Sequence, residues 1–200
     1  TQCWVSQNVI PSSQNWLVAC FSPSPRRYII DQVDASNQTL VSGIMTNQTN
    51  RTRLYVSYIW NKALTLTEMM LVTKALRMEI GGLPLGQSER VVGIRDLRMY
   101  YFRLLLALRP AKSIHLFSDA TGTDMNAYIP DRMNPSTVNR VYQNGSVPCT
   151  QMVAGPETGS GKNITVMGGN STCNFIWLSN NIPQVMTMCR VSRYTGGANF

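Results

Sequence analysis

Charged residues are scarce in this sequence, and no apolar run is long enough to cross a membrane. Only 14% of its 200 residues are charged, whereas a typical soluble domain has about 25%. The longest uninterrupted apolar run covers residues 16–21, far fewer than the roughly 18 residues that a transmembrane helix needs. The sequence therefore predicts a folded domain with a largely neutral surface and no membrane insertion.

Histidine is limited to His115, so any histidine-dependent mechanism must use that residue. Alternation along residues 113–117 places His115 on the same strand face as Ser113 and Phe117. This placement favours a solvent-facing or hydrogen-bonded structural histidine over a catalytic base. Zinc is not expected, because five scattered cysteines without a CxxC pair give no recognisable four-ligand spacing. The sequence thus predicts neither an enzyme nor a bound metal or cofactor.

Cysteines and glycosylation sequons leave the cellular compartment open. An odd number of cysteines leaves at least one unpaired if disulfides form. N-x-S/T sequons suit a secreted glycoprotein, but a chain rich in Asn, Ser and Thr also produces them by chance. Because the chain begins at Thr1 without a methionine, we expect a processed product or a piece of a larger precursor. The cysteines are Cys3, Cys20, Cys149, Cys173 and Cys189, and the sequons begin at Asn37, Asn47, Asn50, Asn144, Asn163 and Asn170.

Neutral side chains supply most of the polarity of the sequence. Asn, Gln, Ser and Thr make up 60 of the 200 residues and hydrophobic residues 44%, which excludes a coiled coil, a collagen-like chain and a long disordered tail. The net charge of +8 comes mainly from 14 arginines, which suit carboxylate and phosphate groups. These arginines are scattered along the chain, so nucleic-acid binding is not expected. Binding of a sialylated or sulfated glycan would need fewer arginines.

Short apolar runs between turn residues predict a mainly β fold. Residues 67–80 predict a helix that Gly81 and Gly82 end. Residues 94–108 fit both helical and strand spacing and are assigned to a strand. We expect one compact sandwich or barrel-like domain over residues 1–200, with one or two short helices. Candidate strands cover residues 3–10, 16–21, 28–33, 53–60, 114–117, 138–142, 164–167, 173–178 and 185–191, and alternation in 53–60 places Leu54, Val56, Tyr58 and Trp60 on one side.

Two segments resemble phosphate-handling motifs, and both depart from them. Residues 155–163 resemble a P-loop, but Pro156 and Asn163 occupy positions where that motif needs a glycine and a hydroxyl. Residues 119–123 resemble the aspartyl nucleophile turn of P-type ATPases and related phosphatases, with Asp119 as the nucleophile. That chemistry needs further carboxylates downstream to hold magnesium, and Glu157 is the only acid after Asp131. A phosphate-handling enzyme is therefore the weakest of the functions considered.

Low charge, abundant neutral polar residues and two long polar loops, over residues 118–135 and 154–163, together resemble the surface projections of non-enveloped RNA virus capsids. Astrovirus-type spikes are the nearest family. The resemblance implies a spike domain that is assembled in the host cytoplasm and displayed on the virion surface as a homodimer. It also implies attachment to a host-cell receptor, protein or glycan, and recognition by antibodies. The sequons would then not be glycosylated.

Candidate receptor-binding residues lie in the first of these loops. Thr121, Asp124 and Asn126 form a hydrogen-bonding cluster around the aromatic Tyr128, and loops on a rigid scaffold are common binding sites. The alternative is that Tyr128 has only a structural role and packs this loop against the domain. A second functional alternative is a secreted, disulfide-bonded extracellular binding domain, for which two disulfides and glycosylated sequons are the discriminating observations.

Overall fold

An antiparallel β-sheet of eight strands forms the centre of the protein. The computed structural model describes residues 4–5, 16–30, 33–34, 36, 41–42, 52–81, 92–121, 128–135, 140–143, 149–155, 160–169, 175–177, 183 and 185–194. The strands are β1 (Trp4–Val5), β2 (Trp16–Pro23), β3 (Arg26–Ile30), β4 (Val33–Asp34), β5 (Val41–Ser42), β6 (Thr52–Trp60), β7 (Ser113–Leu116), β8 (Tyr128–Ile129), β9 (Val141–Gln143), β10 (Thr150–Ala154), β11 (Ile164–Gly169), β12 (Phe175–Trp177) and β13 (Thr187–Tyr194). The helices are α1 (Leu66–Glu79) and α2 (Val92–Leu108), and a 3-10 turn covers Phe117–Asp119. The predicted β-rich fold with helices is confirmed.

The last described strand of the chain lies in the middle of the large sheet. The strand order is β10-β11-β6-β13-β2-β3-β4, and β7 pairs with the second half of β6. β13 pairs with β6 on one side and with β2 on the other. Two smaller antiparallel sheets consist of β1 with β5, and of β8, β9 and β12. Completing the large sheet therefore requires pairing between distant segments of the chain.

The main hydrophobic core lies between one face of this sheet and the two helices. Alternate residues of a strand share a face, and Trp16, Val18 and Cys20 of β2 are all buried in this core. Trp60 is also fully buried, and its indole Nε1 donates a hydrogen bond of 2.9 Å to the backbone oxygen of Arg109. The helices contribute Met69, Val72, Ala75, Leu76, Phe102 and Leu105.

Helix α1 confirms the prediction for residues 67–80 to within one residue at each end. It begins with a capping box: the Glu68 backbone N–H donates to Thr65 Oγ1 over 3.2 Å, and the Thr65 backbone N–H donates to Glu68 Oε2 over 2.8 Å. It ends where Gly81 adopts a φ of 76°, a conformation that favours glycine.

The strand assigned to residues 94–108 is wrong, because this segment forms helix α2. Phe102, Leu105 and Leu106 follow helical spacing, and all three belong to the core that α1 shares. Leu104 and Leu108, which either periodicity would have placed on an apolar face, are exposed. Packing on α1 therefore selects both the helix and its buried side, which the ambiguous apolar spacing did not indicate.

A β-bulge in β6 changes the predicted face of one residue. Val191 pairs with Val56 and Ser192 with Leu54, so Tyr55 is an extra residue in β6. Val56, Tyr58 and Trp60 face the helix-side core as predicted, whereas Leu54 packs in a second core on the opposite face. The bulge is the physical reason for this difference.

The second core joins the large sheet to the small sheet that contains β8 and β9. Met167 of β11 and Leu54 of β6 meet Ile129 of β8 and Val141 of β9 in this cluster. Phe117 and Cys149 complete its buried residues. The large sheet is thus covered on one face by helices and on part of the other by strands.

The remaining strand predictions are largely confirmed, with shifted ends. β2, β11 and β13 match the runs 16–21, 164–167 and 185–191, and the run 28–33 is divided between β3 and β4. The run 114–117 ends at Leu116, because Phe117 begins the 3-10 turn. Runs 3–10, 138–142 and 173–178 lie partly outside the described residues, as do both predicted loops; β8 lies within the first loop.

A disulfide links the central strands of the sheet. Cys20 of β2 and Cys189 of β13 are directly opposite in the strand pair and are bonded to each other. They are 169 residues apart in sequence, so the bond restricts the unfolded chain strongly. Cys149 is also disulfide-bonded, and its partner lies outside the described residues.

Replacing Cys20 and Cys189 together by alanine is expected to lower the free energy of unfolding by about 2–5 kcal/mol, because the unfolded chain gains conformational freedom. Urea denaturation at equilibrium measures the change. Val18→Ala is the matched control, since it removes a buried side chain from the same strand without touching a cross-link. A loss no larger than that of the control would contradict a stabilising role for the bond.

Candidate functional site

Two of the four predicted contact residues meet at the start of strand β8. The Thr121 N–H donates to the backbone oxygen of Tyr128 over 2.9 Å, and the Tyr128 N–H donates back over 3.3 Å. The Thr121 hydroxyl also donates to the Tyr128 oxygen, over 3.3 Å. Asp124 and Asn126, between them in sequence, lie outside the described residues. Thr121 and Tyr128 therefore anchor the two ends of the predicted contact segment.

The Tyr128 side chain lies in an aromatic and cationic cluster. Tyr128 of β8 is directly opposite Tyr142 of β9, and directly opposite residues share a sheet face. Their ring centroids are 6.3 Å apart. The guanidinium carbon of Arg140 lies 3.9 Å from the centroid of the Tyr128 ring, which is a close cation–π contact. We call Tyr128, Arg140 and Tyr142 the Arg–Tyr cluster.

Arg140 differs from Arg27 and Arg109 in its contacts. Arg27 donates to the backbone oxygen of Leu64 over 2.7 Å, and Arg109 pairs with Glu68 at 3.0 Å. Arg140 is half-buried, and its Nε is fully buried. Within the described part of the chain, this Nε has no hydrogen-bond partner, and no carboxylate pairs with the guanidinium. Its positive charge is held by an aromatic face instead, so its terminal N–H groups can receive an acceptor from outside.

The carboxylate of Asp119, the residue that resembles a phosphatase nucleophile, is paired with an arginine side chain. Arg132 Nε lies 2.6 Å from one carboxylate oxygen and a terminal nitrogen of Arg132 lies 3.0 Å from the other. This bidentate pair raises the pKa of Arg132 and holds both oxygens of the carboxylate. The arrangement suits a structural ion pair at the end of the 3-10 turn.

The glycine-rich segment that resembles a P-loop packs against the end of α1. The Gly161 backbone N–H donates to the Ile80 oxygen over 3.0 Å, and the Ser160 hydroxyl donates to the Lys162 oxygen over 2.7 Å. A Cβ atom on Gly161 would overlap the backbone oxygen of Gly81. The glycine is therefore needed for close backbone packing, and its amide is used within the protein rather than for a phosphate.

The single histidine is buried between the two sheets beside a buried aspartate. His115 is 1% exposed and Asp131 is 0% exposed. One Asp131 oxygen accepts from the backbone N–H groups of Ile114, over 2.8 Å, and Met133, over 3.0 Å. Burial lowers the pKa of His115, against the opposing effects of Asp131 and of the backbone oxygens of residues 129 and 130. The hydrogen-bonded structural histidine is the alternative that the structure supports.

Two tyrosines of β6 remain protonated over the physiological range. Burial raises the pKa of Tyr58 to about 12, and the Glu79 carboxylate adds to the effect. Burial and the same carboxylate also raise the pKa of Tyr55, whose hydroxyl donates to Glu79 Oε1 over 3.0 Å. Neither phenol is therefore available as a base, and Tyr55 acts as a hydrogen-bond donor to Glu79.

Helix α2 has an exposed apolar side, which is the second unusual surface beside the Arg–Tyr cluster. Four of its large apolar side chains are exposed, and such surfaces commonly mark interaction sites. Tyr100 and Leu104 are spaced by four residues, as are Leu104 and Leu108, so they follow one side of the helix. The exposed fractions are 60% for Tyr100, 52% for Tyr101, 39% for Leu104 and 73% for Leu108.

Comparisons with protein-family models, with curated proteins and with solved structures found no match to this chain. Neither helix combines the length and apolar character of a membrane span over the residues that could be described. Within those same residues, no three His, Cys, Asp or Glu side chains are grouped closely enough to hold a metal ion. Function is therefore inferred from the chemistry of the chain's own surfaces.

Sequence reasoning selected Tyr128 and missed Arg140 and Tyr142. Their signal is weak, because Arg140 precedes a strand of only three residues. The alternating sequence Arg140, Val141, Tyr142 was consistent with a strand that has one apolar and one polar face. The pairing of Tyr142 with Tyr128 depends on strand register, which the sequence does not specify.

Acid is expected to destabilise the protein through His115. Its pKa is lower in the folded state than the ordinary value of about 6.5, so the unfolded state binds more protons as the pH falls. The free energy of unfolding should therefore decrease as the pH falls below about 6.5. Urea denaturation between pH 7.5 and 5 measures this slope.

His115→Gln removes the only histidine and is expected to flatten the slope, whatever its effect on stability at pH 7.5. The difference between the two slopes isolates the histidine from carboxylates that titrate in the same range. Equal slopes for the parent chain and the variant would contradict a buried, neutral His115.

Proposed function

We propose that this chain is a disulfide-stabilised extracellular binding domain that attaches the structure carrying it to a partner surface. The observation that carries the proposal is the bond between Cys20 and Cys189 across the two central strands. Disulfides form and persist in oxidising compartments and are rare in the cytosol. The bonded state of Cys149 gives further support.

Binding, rather than catalysis, is also supported by the state of the reactive residues. His115 and its neighbour Asp131 are buried, so a substrate cannot reach them without opening the second core. Asp119 is held at both oxygens by Arg132. The best candidates for an enzyme site in this sequence thus have structural partners.

The contact surface is assigned to the segment from Thr121 to Tyr128 and the adjoining Arg–Tyr cluster. The two ends of the segment are tied together by backbone hydrogen bonds, and Tyr128 lies on a packed sheet through its neighbour Ile129. A fixed base reduces the conformational entropy lost on binding. Asp124 and Asn126, within this segment, are proposed as contact residues.

A surface projection of a virus capsid is the second candidate, favoured by the low charge and the 60 neutral polar residues. It shares the attachment role, with a host-cell receptor and antibodies as partners. It differs in its site of folding, because capsid assembly in the cytoplasm would not favour disulfides. The homodimer stays a prediction, and the exposed side of α2 is a surface on which a second copy could pack.

Replacing Asp124 and Asn126 together by alanine is expected to weaken attachment about tenfold or more, since a few contact residues carry most of the binding energy of an interface. Fluorescently labelled chain is titrated onto cultured cells that bind the parent, and bound label is measured by flow cytometry. Asp34→Ala with Asn61→Ala is the matched control, because both residues are exposed and outside the segment. Attachment equal to that of the control would remove this segment from the contact surface.

An extracellular chain is expected to carry a glycan at Asn163. This residue is exposed and directly precedes β11, and its sequon continues with Ile164 and Thr165. Intact mass of the protein from its natural source, before and after glycosidase treatment, measures the glycan. Asn163→Gln and Thr165→Ala should each remove the same mass. A bare-chain mass would favour the cytoplasmic capsid candidate instead.

A further inference from the structure

The most informative unassigned group in the described structure is the guanidinium of Arg140. The buried Nε–H of this half-buried cation has no acceptor within the described residues, which is costly because the group loses water without a compensating hydrogen bond. Stacking on Tyr128 at 3.9 Å offsets part of this cost. The remaining donors suit an anion supplied by a ligand.

Guanidinium geometry favours a planar anion. Its N–H groups form a fork that matches the two oxygens of a carboxylate. The Tyr128 ring fixes the plane of this fork, so little conformational freedom is lost when a ligand binds. A lysine at this position would provide a point charge without that geometry.

Among the described residues of this cluster, Arg140 offers the only available positive charge, which matches a ligand with one negative group. Arg132 is the other described arginine on the segment that follows β8, and Asp119 already neutralises it. A polysulfated chain or a nucleic acid requires several cations along its length. A single carboxylate matches the single free charge of the cluster.

The described groups that pack with Arg140 are neutral and amphipathic. Tyr128 and Tyr142 provide aromatic faces with one hydroxyl each, and Thr121 adds a further hydroxyl. Tyrosine gives a large, rigid contact area at low entropic cost. A sugar ring offers the complementary features, namely an apolar C–H face and several hydroxyls.

We infer that the Arg–Tyr cluster binds a carboxylate-bearing sugar at the end of a glycan, with Arg140 holding the carboxylate and the tyrosines contacting the sugar ring. This inference rests on the proposed attachment function and specifies its ligand. Acidic peptides share the carboxylate but lack the ring of hydroxyls, and sulfated sugars lack the planar pair of oxygens.

The test uses the whole chain and a trisaccharide that ends in sialic acid. Ligand-observed NMR titration compares this probe with its methyl ester, with a sulfated disaccharide and with a short acidic peptide. We expect binding of the free acid and loss of at least tenfold in affinity for each of the other probes. Equal binding of the ester, or preferential binding of the sulfated sugar or the peptide, would overturn the inference without requiring any variant.

Variants locate the site. Arg140→Gln should weaken binding of the free acid at least tenfold, and Arg140→Lys should weaken it several-fold because the fork is lost. Arg103→Gln is the matched control: it removes one exposed positive charge from α2, which covers the opposite face of the sheet. Unchanged binding by Arg140→Gln, or an equal loss in the control, would contradict the assignment.

Sialidase treatment of the cells separates this inference from the proposed function. If attachment of labelled chain falls after treatment, and Arg140→Gln shows the same loss on untreated cells, both are supported. If attachment is unchanged by sialidase and by Arg140→Gln, the sugar ligand is wrong while the attachment function stands. If the parent chain attaches to no cells and to no probe, the attachment function itself is wrong.

Discussion

The pairing of β13 with both β2 and β6 is the interaction on which the rest of the structure depends. This strand fills the centre of the large sheet, so the sheet is incomplete until residues close to the end of the sequence insert between two earlier strands. Contacts of this kind require closure of long chain segments. The bond between Cys20 and Cys189 lies in this pairing, so strand order and covalent structure reinforce each other.

The two faces of this sheet have different roles. One face is covered by α1 and α2 and contains the larger hydrophobic core. The other supports the small sheet through Met167 and Leu54, and the bulge at Tyr55 turns Leu54 toward that side. Through Ile129 and Val141 the small sheet fixes the backbone on which Tyr128 and Tyr142 lie opposite each other. The proposed ligand site is thus built on a packed layer rather than on a free loop.

Local patterns predicted the elements that have strong local signals. The helix at α1 has a capping residue, helical spacing and a terminal glycine, and β6 has alternating β-branched and aromatic residues. Residues 94–108 were assigned wrongly, because their apolar residues satisfy two periodicities and only packing against α1 chooses between them. The disulfide pairing and the Arg–Tyr cluster depend on strand register, a long-range property that composition and spacing do not contain.

A non-reducing peptide map tests the proposal that this is an extracellular domain stabilised across its central strands. Protein from its natural source is alkylated without reduction, digested, and analysed by mass spectrometry. The account predicts a disulfide-linked pair of peptides that contain Cys20 and Cys189. Recovery of both cysteines as alkylated, unlinked peptides would contradict it and would favour a chain that folds in a reducing compartment.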